Sequence, residues 1–311
     1  MNPILKRIYE TGKKKHDNPS QKDKRKSEKL LNIPVPEGIN SEYDIKYDIG
    51  DGKSLMSEVF MPKISEENLL PVIVMIHGGG LLFGNRRLNL SFRLMMAKLG
   101  YLVFSIEYRH LDDTDFFGAV SDVCCGLKFV RDSLQRYNGD PNRIYVACES
   151  AGALLGLYAT AMTCSKELRD VIGVDCPDMK IDGLILSSGM LYTTRPDYIS
   201  AVYKNDLYGK RAKDKKFMKY MNPENPEVMD SLPKVCLASG YGDFLRKNTL
   251  RYAKALKNAG HPSLLLDYNN GKKLPHAFMT LFPMLEESHD AIKKMREYYE
   301  GPCGSGLGSA P

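Results

Sequence analysis

Glu149-Ser150-Ala151 joins two stretches of opposite character. Residues 143–148 (RIYVAC) read as a short β-strand, and residues 152–162 (GALLGLYATAM) read as a helix. A serine at a tight strand-to-helix turn projects its Oγ out of the fold, beside a free backbone N–H of the first helical turn; this is the geometry of a nucleophile elbow. A hydroxyl is a weak nucleophile by itself, so such chemistry also needs a base and a site that stabilises an anion. Candidates for both lie elsewhere in the chain. His77-Gly78-Gly79-Gly80 follows the apolar run 72–76, and consecutive glycines let a backbone turn sharply and aim N–H groups into a cavity. Asp243 lies in Gly-Tyr-Gly-Asp-Phe-Leu (240–245), just past the run 234–239, and His276 lies in Leu-Pro-His-Ala-Phe (274–278), past the run 263–268. The expected roles are Ser150 as nucleophile, His276 as general base, and Asp243 as the group that orients the imidazole. The N–H groups of Gly78, Gly79 and Ala151 are expected to form the oxyanion hole.

Competing residues fit less well. His110 precedes Ser150, His16 lies in a basic segment, His261 in a helix-to-strand turn, and His289 on the last helix. Asp267 falls within a strand and Glu287 late on a helix. His77 is expected to support the glycine loop, and Glu149 to be a packing or solvent-side residue. Cys148 ends a strand with its side chain directed away from the substrate side.

These residues must be held by a scaffold. The runs 72–76, 101–106, 143–147, 183–188, 234–239 and 263–268 are short and mostly apolar, and several alternate with helix-length segments at 89–99, 117–137, 151–168 and 247–259. That pattern predicts an α/β fold with a parallel sheet covered on both faces. Before it, 43–48 and 55–61 read as a hairpin around Gly50-Asp51-Gly52. Asn138-Gly139-Asp140-Pro141 reads as a turn. Each candidate site residue then lies past the carboxyl end of a parallel strand, where open α/β sheets place their sites. Residues 193–232 carry no strong strand and exceed an ordinary connection, which indicates an insertion. Residues 3–31 read as two helices broken near Asn18-Pro19, with Ile4, Leu5, Ile8 and Tyr9 on one face. Residues 301–311 are Gly/Ser-rich and read as a flexible tail.

The order Ser, Asp, His is that of the α/β-hydrolases. The motifs resemble those of the hormone-sensitive-lipase-like carboxylesterases in that superfamily: an HGGG motif (77–80), an elbow with Glu-Ser-Ala-Gly (149–152), an Asp-x-Leu acid motif (243–245) and a late histidine followed by a small residue and Phe (276–278). Tyr108-Arg109-His110-Leu111-Asp112-Asp113 stands where that group has Tyr-Arg-Leu-Ala-Pro-Glu. The resemblance runs from about residue 71 to 299. It implies the α/β-hydrolase fold, with an eight-stranded, mostly parallel sheet in a domain of residues 41–300. It implies a helical cap from residues 1–40 and an insertion at about 193–230. It also implies hydrolysis of short-chain acyl esters, for example acetyl esters, through an acyl-enzyme, without a cofactor or metal. Four departures stand out. Cys148 replaces the first elbow glycine and predicts strain there; Ala153 and Ala277 replace later glycines; Asp112-Asp113 replaces Pro-Glu. A non-catalytic ligand-binding member of the fold is the main alternative, but such relatives lack the histidine that His276 supplies. A peptidase is the other; no β-propeller and no anionic pair for a peptide N-terminus is visible.

Bulk properties exclude other classes. The 311 residues, 43% of them hydrophobic, can bury a sizeable core. No apolar run approaches the ~20 residues of a membrane span, and the N-terminus lacks a continuous apolar signal region. Seven dispersed cysteines without a CxxC fit reduced thiols and a cytoplasmic protein better than a disulfide framework or a structural zinc. Residues 1–30 hold ten Lys/Arg against four Asp/Glu, which accounts for the whole net charge of +6. Their lysine-rich part has no interleaved aromatics, so a solvated helical face is expected, with no nucleic-acid binding and no stable membrane association. The expected partner is a small-molecule ester; a homodimer is compatible with the sequence but not specified by it.

Overall fold

The computed structural model describes residues 1–17, 33–63 and 69–301. The second N-terminal helix expected before residue 31 and the tail beyond Gly301 lie outside them. Among the described residues, eight strands form one sheet: β1 (Ile39–Gly50), β2 (Lys53–Pro62), β3 (Leu70–Ile76), β4 (Leu102–Ile106), β5 (Gly139–Glu149), β6 (Gly183–Ser187), β7 (Lys234–Gly240) and β8 (Ser263–Tyr268). Their order is β1-β2-β4-β3-β5-β6-β7-β8. β1 pairs antiparallel with β2, and β2 antiparallel with β4. All pairs from β4 to β8 are parallel. This is the α/β-hydrolase arrangement.

The apolar runs are central strands because both of their faces are covered. Successive side chains point to opposite faces, so β3 divides between two cores: Val72, Val74 and Ile76 join one cluster, and Ile73 and Met75 the other. β5 divides in the same way, with Ile144, Val146 and Cys148 on the first face and Tyr145 and Ala147 on the second. β8 reads as apolar but lies at the sheet edge, and its Leu265 is 40% exposed.

Helices cover both faces: α1 (Pro3–Asp17), α2 (Leu90–Lys98), α3 (Phe116–Ser133), α4 (Gly152–Cys164), α5 (Lys166–Ile172), α6 (Tyr198–Tyr208), α7 (Lys215–Tyr220), α8 (Pro226–Asp230), α9 (Arg246–Asn258), α10 (Phe278–Leu281) and α11 (Glu286–Glu300). The single helix expected over 151–168 is two, because Ser165 turns extended and its side chain accepts from the Leu168 N–H as the cap of α5. The turn expected at 138–141 lies earlier, over 134–138. Asn138 takes φ +57°, and Gly139 already pairs with Leu70 in the sheet.

Residues 193–232 contain helices α6, α7 and α8 and no strand. α6 starts at Asp197, whose side chain accepts from the Ser200 N–H. α1 rests on it: Leu5 is fully buried with Val202 of α6 and Leu82 of the glycine loop. Tyr9 stacks on Phe83 at 5.9 Å and donates to Asp112 at 2.8 Å, and the Asn2 N–H donates to Asp206 at 2.7 Å. Asp112 therefore anchors α1. Ile4 and Ile8, expected on the same docking face, remain 46% and 40% exposed.

Candidate active site

The ends of β3, β5, β7 and β8 bring the predicted residues together. Ser150 follows β5 with φ +49°, in the left-handed region where a non-glycine residue is strained. Its N–H donates to Ser187 O at 3.0 Å, and its own carbonyl accepts from Met190 at 2.8 Å. Those two bonds hold the strained turn against the end of β6. Gly152 supplies the close approach that the turn requires: a Cβ there would lie 2.2 Å from His77 O.

Ser150 Oγ donates to His276 Nε2 at 2.9 Å, and His276 Nδ1 lies 3.1 Å from both oxygens of Asp243. Burial works against the Asp243 charge. Hydrogen bonds from His276, from Ser188 and from the Leu245 N–H overcome it and hold the carboxyl below the usual range. The Leu245 bond is 2.7 Å. Ala277, at a position where the resemblance has glycine, takes φ +51° and turns its N–H to Ser188 Oγ (3.1 Å) and Asp243 (3.4 Å). The resulting relay can pass a proton from Ser150 to His276 and stabilise the imidazolium that forms.

Competing residues are engaged elsewhere. Asp267 accepts both arms of Arg246 at 2.7 and 2.6 Å, and Glu287 pairs with Lys272. His261 bonds Leu232 O. His110 lies beside His77, with ring centroids 6.0 Å apart, and has no bond to Ser150.

Cys148 does not strain the elbow as expected. It keeps its place in β5, and its buried thiol faces α4, where Gly156 lacks the Cβ that would sit 2.1 Å from Sγ. Burial pushes the thiol pKa well up, so it stays protonated. Ala153 is accommodated the same way, by Gly189 opposite its methyl.

Of the two places expected for Glu149, packed or solvent-side, the structure takes the packed one. The buried side chain takes three donors: the Gly78 N–H at 3.3 Å, Thr280 Oγ1 at 3.0 Å, and the Asn89 amide. Burial raises its pKa, while the bonds from Asn89, Thr280 and Gly78 act the other way. The N–H of Gly78 is thereby turned to Glu149, which removes it from the oxyanion set expected from sequence.

The rest of the loop is pinned by its carbonyls. Burial pushes the His77 pKa down to about 3, so its ring is neutral, and its Nδ1–H donates to Gly78 O at 2.7 Å. The ring stacks on Tyr108 at 4.3 Å, and Tyr108 OH donates to His77 O at 2.9 Å. Gly79 O accepts from Leu82 and Phe83 N–H groups at 3.2 and 3.0 Å. In a trans peptide, N–H points opposite to C=O. Fixing the carbonyls of Gly78 and Gly79 therefore aims the N–H groups of Gly79 and Gly80 the other way. Among the described residues these two and the Ala151 N–H have no acceptor. Gly79, Gly80 and Ala151 line one cavity of about 460 Å³ with Ser150 and His276. Its other walls are mostly apolar: Ile8 from α1, Ile199, Val202 and Tyr203 from α6, and Leu88, Met190, Phe244 and Leu281. Phe244 lies against His276, centroids 4.4 Å apart, and is 72% exposed at the mouth. Among the described residues, no group of three or more His, Cys, Asp or Glu is arranged to hold a metal ion, and no helix is long and apolar enough to cross a membrane.

Fold and site together define an α/β-hydrolase. The BD-FAE family model matches residues 57–245, and the chain belongs to that family. It is 27% identical over 243 residues to a probable isoprenylcysteine alpha-carbonyl methylesterase of Oryza sativa subsp. japonica. That match takes in 74% of this chain and 57% of the rice protein, so the chain spans little more than half of that relative. Among solved structures, esterase B of Lactobacillus rhamnosis with a tributyrin phosphonate inhibitor superposes with a TM-score of 0.78 at 21% identity, covering 89% of this chain and 91% of that one. A bacterial heroin esterase superposes with a TM-score of 0.70 at 22% identity, covering 91% and 90%.

Sequence reasoning missed Asn89, Ser188, Thr280 and Tyr203. Asn89, Ser188 and Tyr203 lie outside the motifs in sequence and Thr280 just past the last of them, and what each one bonds is set only by the folded contacts. Ser188 alone carried a signal, as the last residue of an apolar run beside the others at the carboxyl edge.

Proposed function

We propose that the chain is a serine ester hydrolase acting on uncharged, short-chain acyl esters through an acyl-enzyme. The observation that carries this is the Ser150–His276–Asp243 relay at the base of an apolar cavity that also exposes three acceptor-free N–H groups. His276 Nε2 takes the Ser150 proton as Oγ attacks the ester carbonyl, and Asp243 keeps Nδ1–H oriented. The oxyanion forms against the N–H groups of Gly79, Gly80 and Ala151. His276 then returns the proton to the leaving alcohol, and water repeats the sequence to release the acid. α1 and the 193–230 insertion act as a cap that shapes the acyl cavity.

The relatives' names support the reaction class rather than one substrate, since a prenylcysteine methyl ester, a tributyrin-like phosphonate and heroin share little beyond an ester or its mimic. Short acyl chains are favoured by the cavity volume, near the low end for ligand sites. Among the residues lining it, Glu149 and His276 are the ionisable groups besides the phenols of Tyr198 and Tyr203, and Glu149 is taken up behind the loop. The test is turnover of nitrophenyl acetate, butyrate, octanoate and laurate by the wild type and by Ser150→Ala. Preference for acetate and butyrate, abolished in the variant, is expected. Binding without turnover of any ester, or cleavage of peptide amides in preference to esters, would replace this reading with one of the two alternatives.

A further inference from the structure

The glycines that free the loop to turn also free it to turn wrongly. Gly79 and Gly80 take φ +115° and +67°, and glycine reaches other backbone regions at little cost. A flipped peptide would present a carbonyl to the developing oxyanion in place of an N–H. Each loop carbonyl is held by a donor, and the donors have two sources. His77 O, Gly78 O and Gly79 O are held from within the sheet domain, by Tyr108, His77, Leu82 and Phe83. Gly80 O is held from outside it: Tyr203 OH, on α6, donates to it at 3.0 Å. Tyr203 is a long-range partner, 123 residues from Gly80, with its ring packed beside the buried Leu5–Leu82–Val202 cluster. Burial raises its pKa to about 12, so the phenol keeps its proton and remains a donor through the neutral range.

We propose that Tyr203 is a positioning residue: by holding Gly80 O toward α6 it fixes the Gly80–Leu81 peptide, so that Gly80 is clamped on its far side and cannot swing its own N–H, or the Gly79 N–H before it, away from Ser150. The insertion and α1 are then part of the catalytic apparatus as well as of the acyl pocket. Leu5 of α1 seats Val202, Val202 seats Tyr203, and Tyr203 fixes the glycine loop. This rests on the ester-hydrolase reading, because it concerns the oxyanion donors of the same site.

The test is Tyr203→Phe, which removes one hydroxyl and keeps the ring. Thermal unfolding should stay within a few degrees of wild type. With nitrophenyl butyrate, kcat should fall about 10- to 100-fold while KM changes less than about threefold, the pattern of an interaction made mainly in the transition state. The inhibition constant of butylboronic acid, whose tetrahedral Ser150 adduct places an oxygen in the same hole, should rise by a factor similar to the kcat loss. Leu5→Ala should show the same direction of effect, weaker, through looser seating of α6. An unchanged kcat and boronate affinity in Tyr203→Phe would overturn the proposal. So would a rise in KM alone, which would make Tyr203 a substrate contact. Wild type that turns over no ester would remove the underlying reading and this proposal with it; active wild type beside an unaffected variant would remove only this one.

Discussion

The floor and the roof of the cavity are built by different physics. On the floor, Ser150, Asp243 and His276 each follow a parallel strand, and each is fixed by several polar bonds to backbone or to buried side chains. The roof, α1 and α6, meets the loop through one small apolar cluster, the Tyr9–Phe83 stack and the Tyr203 bond. Its Tyr198 and Ile8 remain 68% and 40% exposed. A floor over-determined by hydrogen bonds can keep strained backbone such as Ser150 in place. α6 is seated in the main core by Leu207 and Tyr208, but at the exposed mouth of the cavity the roof can change with substrate. Changes to the floor should therefore appear in kcat and stability, and changes to the roof in selectivity, with Tyr203 the exception that links them.

The largest effect should come from Asp243→Asn. The amide keeps the shape but favours the wrong imidazole tautomer, and kcat should fall on the order of 10⁴-fold with KM little altered. A loss below tenfold would show that another group orients His276.

Next comes the packing beneath the elbow. Gly156→Ala should drive a methyl into Cys148 Sγ and destabilise the fold by about 1–3 kcal/mol. Adding Cys148→Gly should recover much of that, a coupling that chemical denaturation of the two single variants and the double variant would measure. Independent, additive losses would mean that the two sites do not share space. A roof substitution should be milder in another currency: Ile199→Phe should narrow the cavity and shift preference from butyrate toward acetate by about tenfold, roughly what one or two methylenes are worth in a pocket. Equal loss on both esters would place Ile199 outside the acyl path.

The smallest effect separates two carboxyls by sign. Glu149 has a raised folded pKa, so its buried charge opposes folding above that value, and the penalty fades as pH falls from there to the ordinary value near ~4.3. Wild type should thus gain stability relative to Glu149→Gln on acidification through that window. Asp243 has a lowered folded pKa, so its contribution is present above ~3.9 and is lost as pH falls further toward the depressed value. Thermal melts from pH 7 to 3 on both pairs would show opposite slopes; parallel slopes would contradict the contrast between the two sites.

How much was legible in the sequence follows the same division. The buried parallel strands were, because a strand covered on both faces must be apolar throughout; the runs 72–76 and 183–188 fall on β3 and β6. The order of Ser150, Asp243 and His276 was legible because each is tied to a strand end. The break at Ser165 could be read only as a capping residue inside an apolar segment, and the helix period passes over it. Cys148 looked like a strained substitution because the glycine that makes room for it, Gly156, is a neighbour across strand and helix rather than along the chain. Gly78 reads as equivalent to Gly79 in a run of glycines, because nothing along the chain says that the Glu149 carboxylate, expected to pack or to face solvent, accepts the Gly78 N–H. Tyr203 belongs to a stretch whose sequence shows helices but not what they cover.

The central claim is that Ser150 is the nucleophile of this cavity. The direct measurement is covalent labelling with diethyl nitrophenyl phosphate, followed by peptide mass mapping. One diethylphosphoryl group per chain on Ser150, with release of one nitrophenolate and none from Ser150→Ala or from unfolded protein, is the expected result. Labelling at Tyr203, at Cys148 or at another serine, or equal labelling of the Ser150→Ala chain, would contradict it.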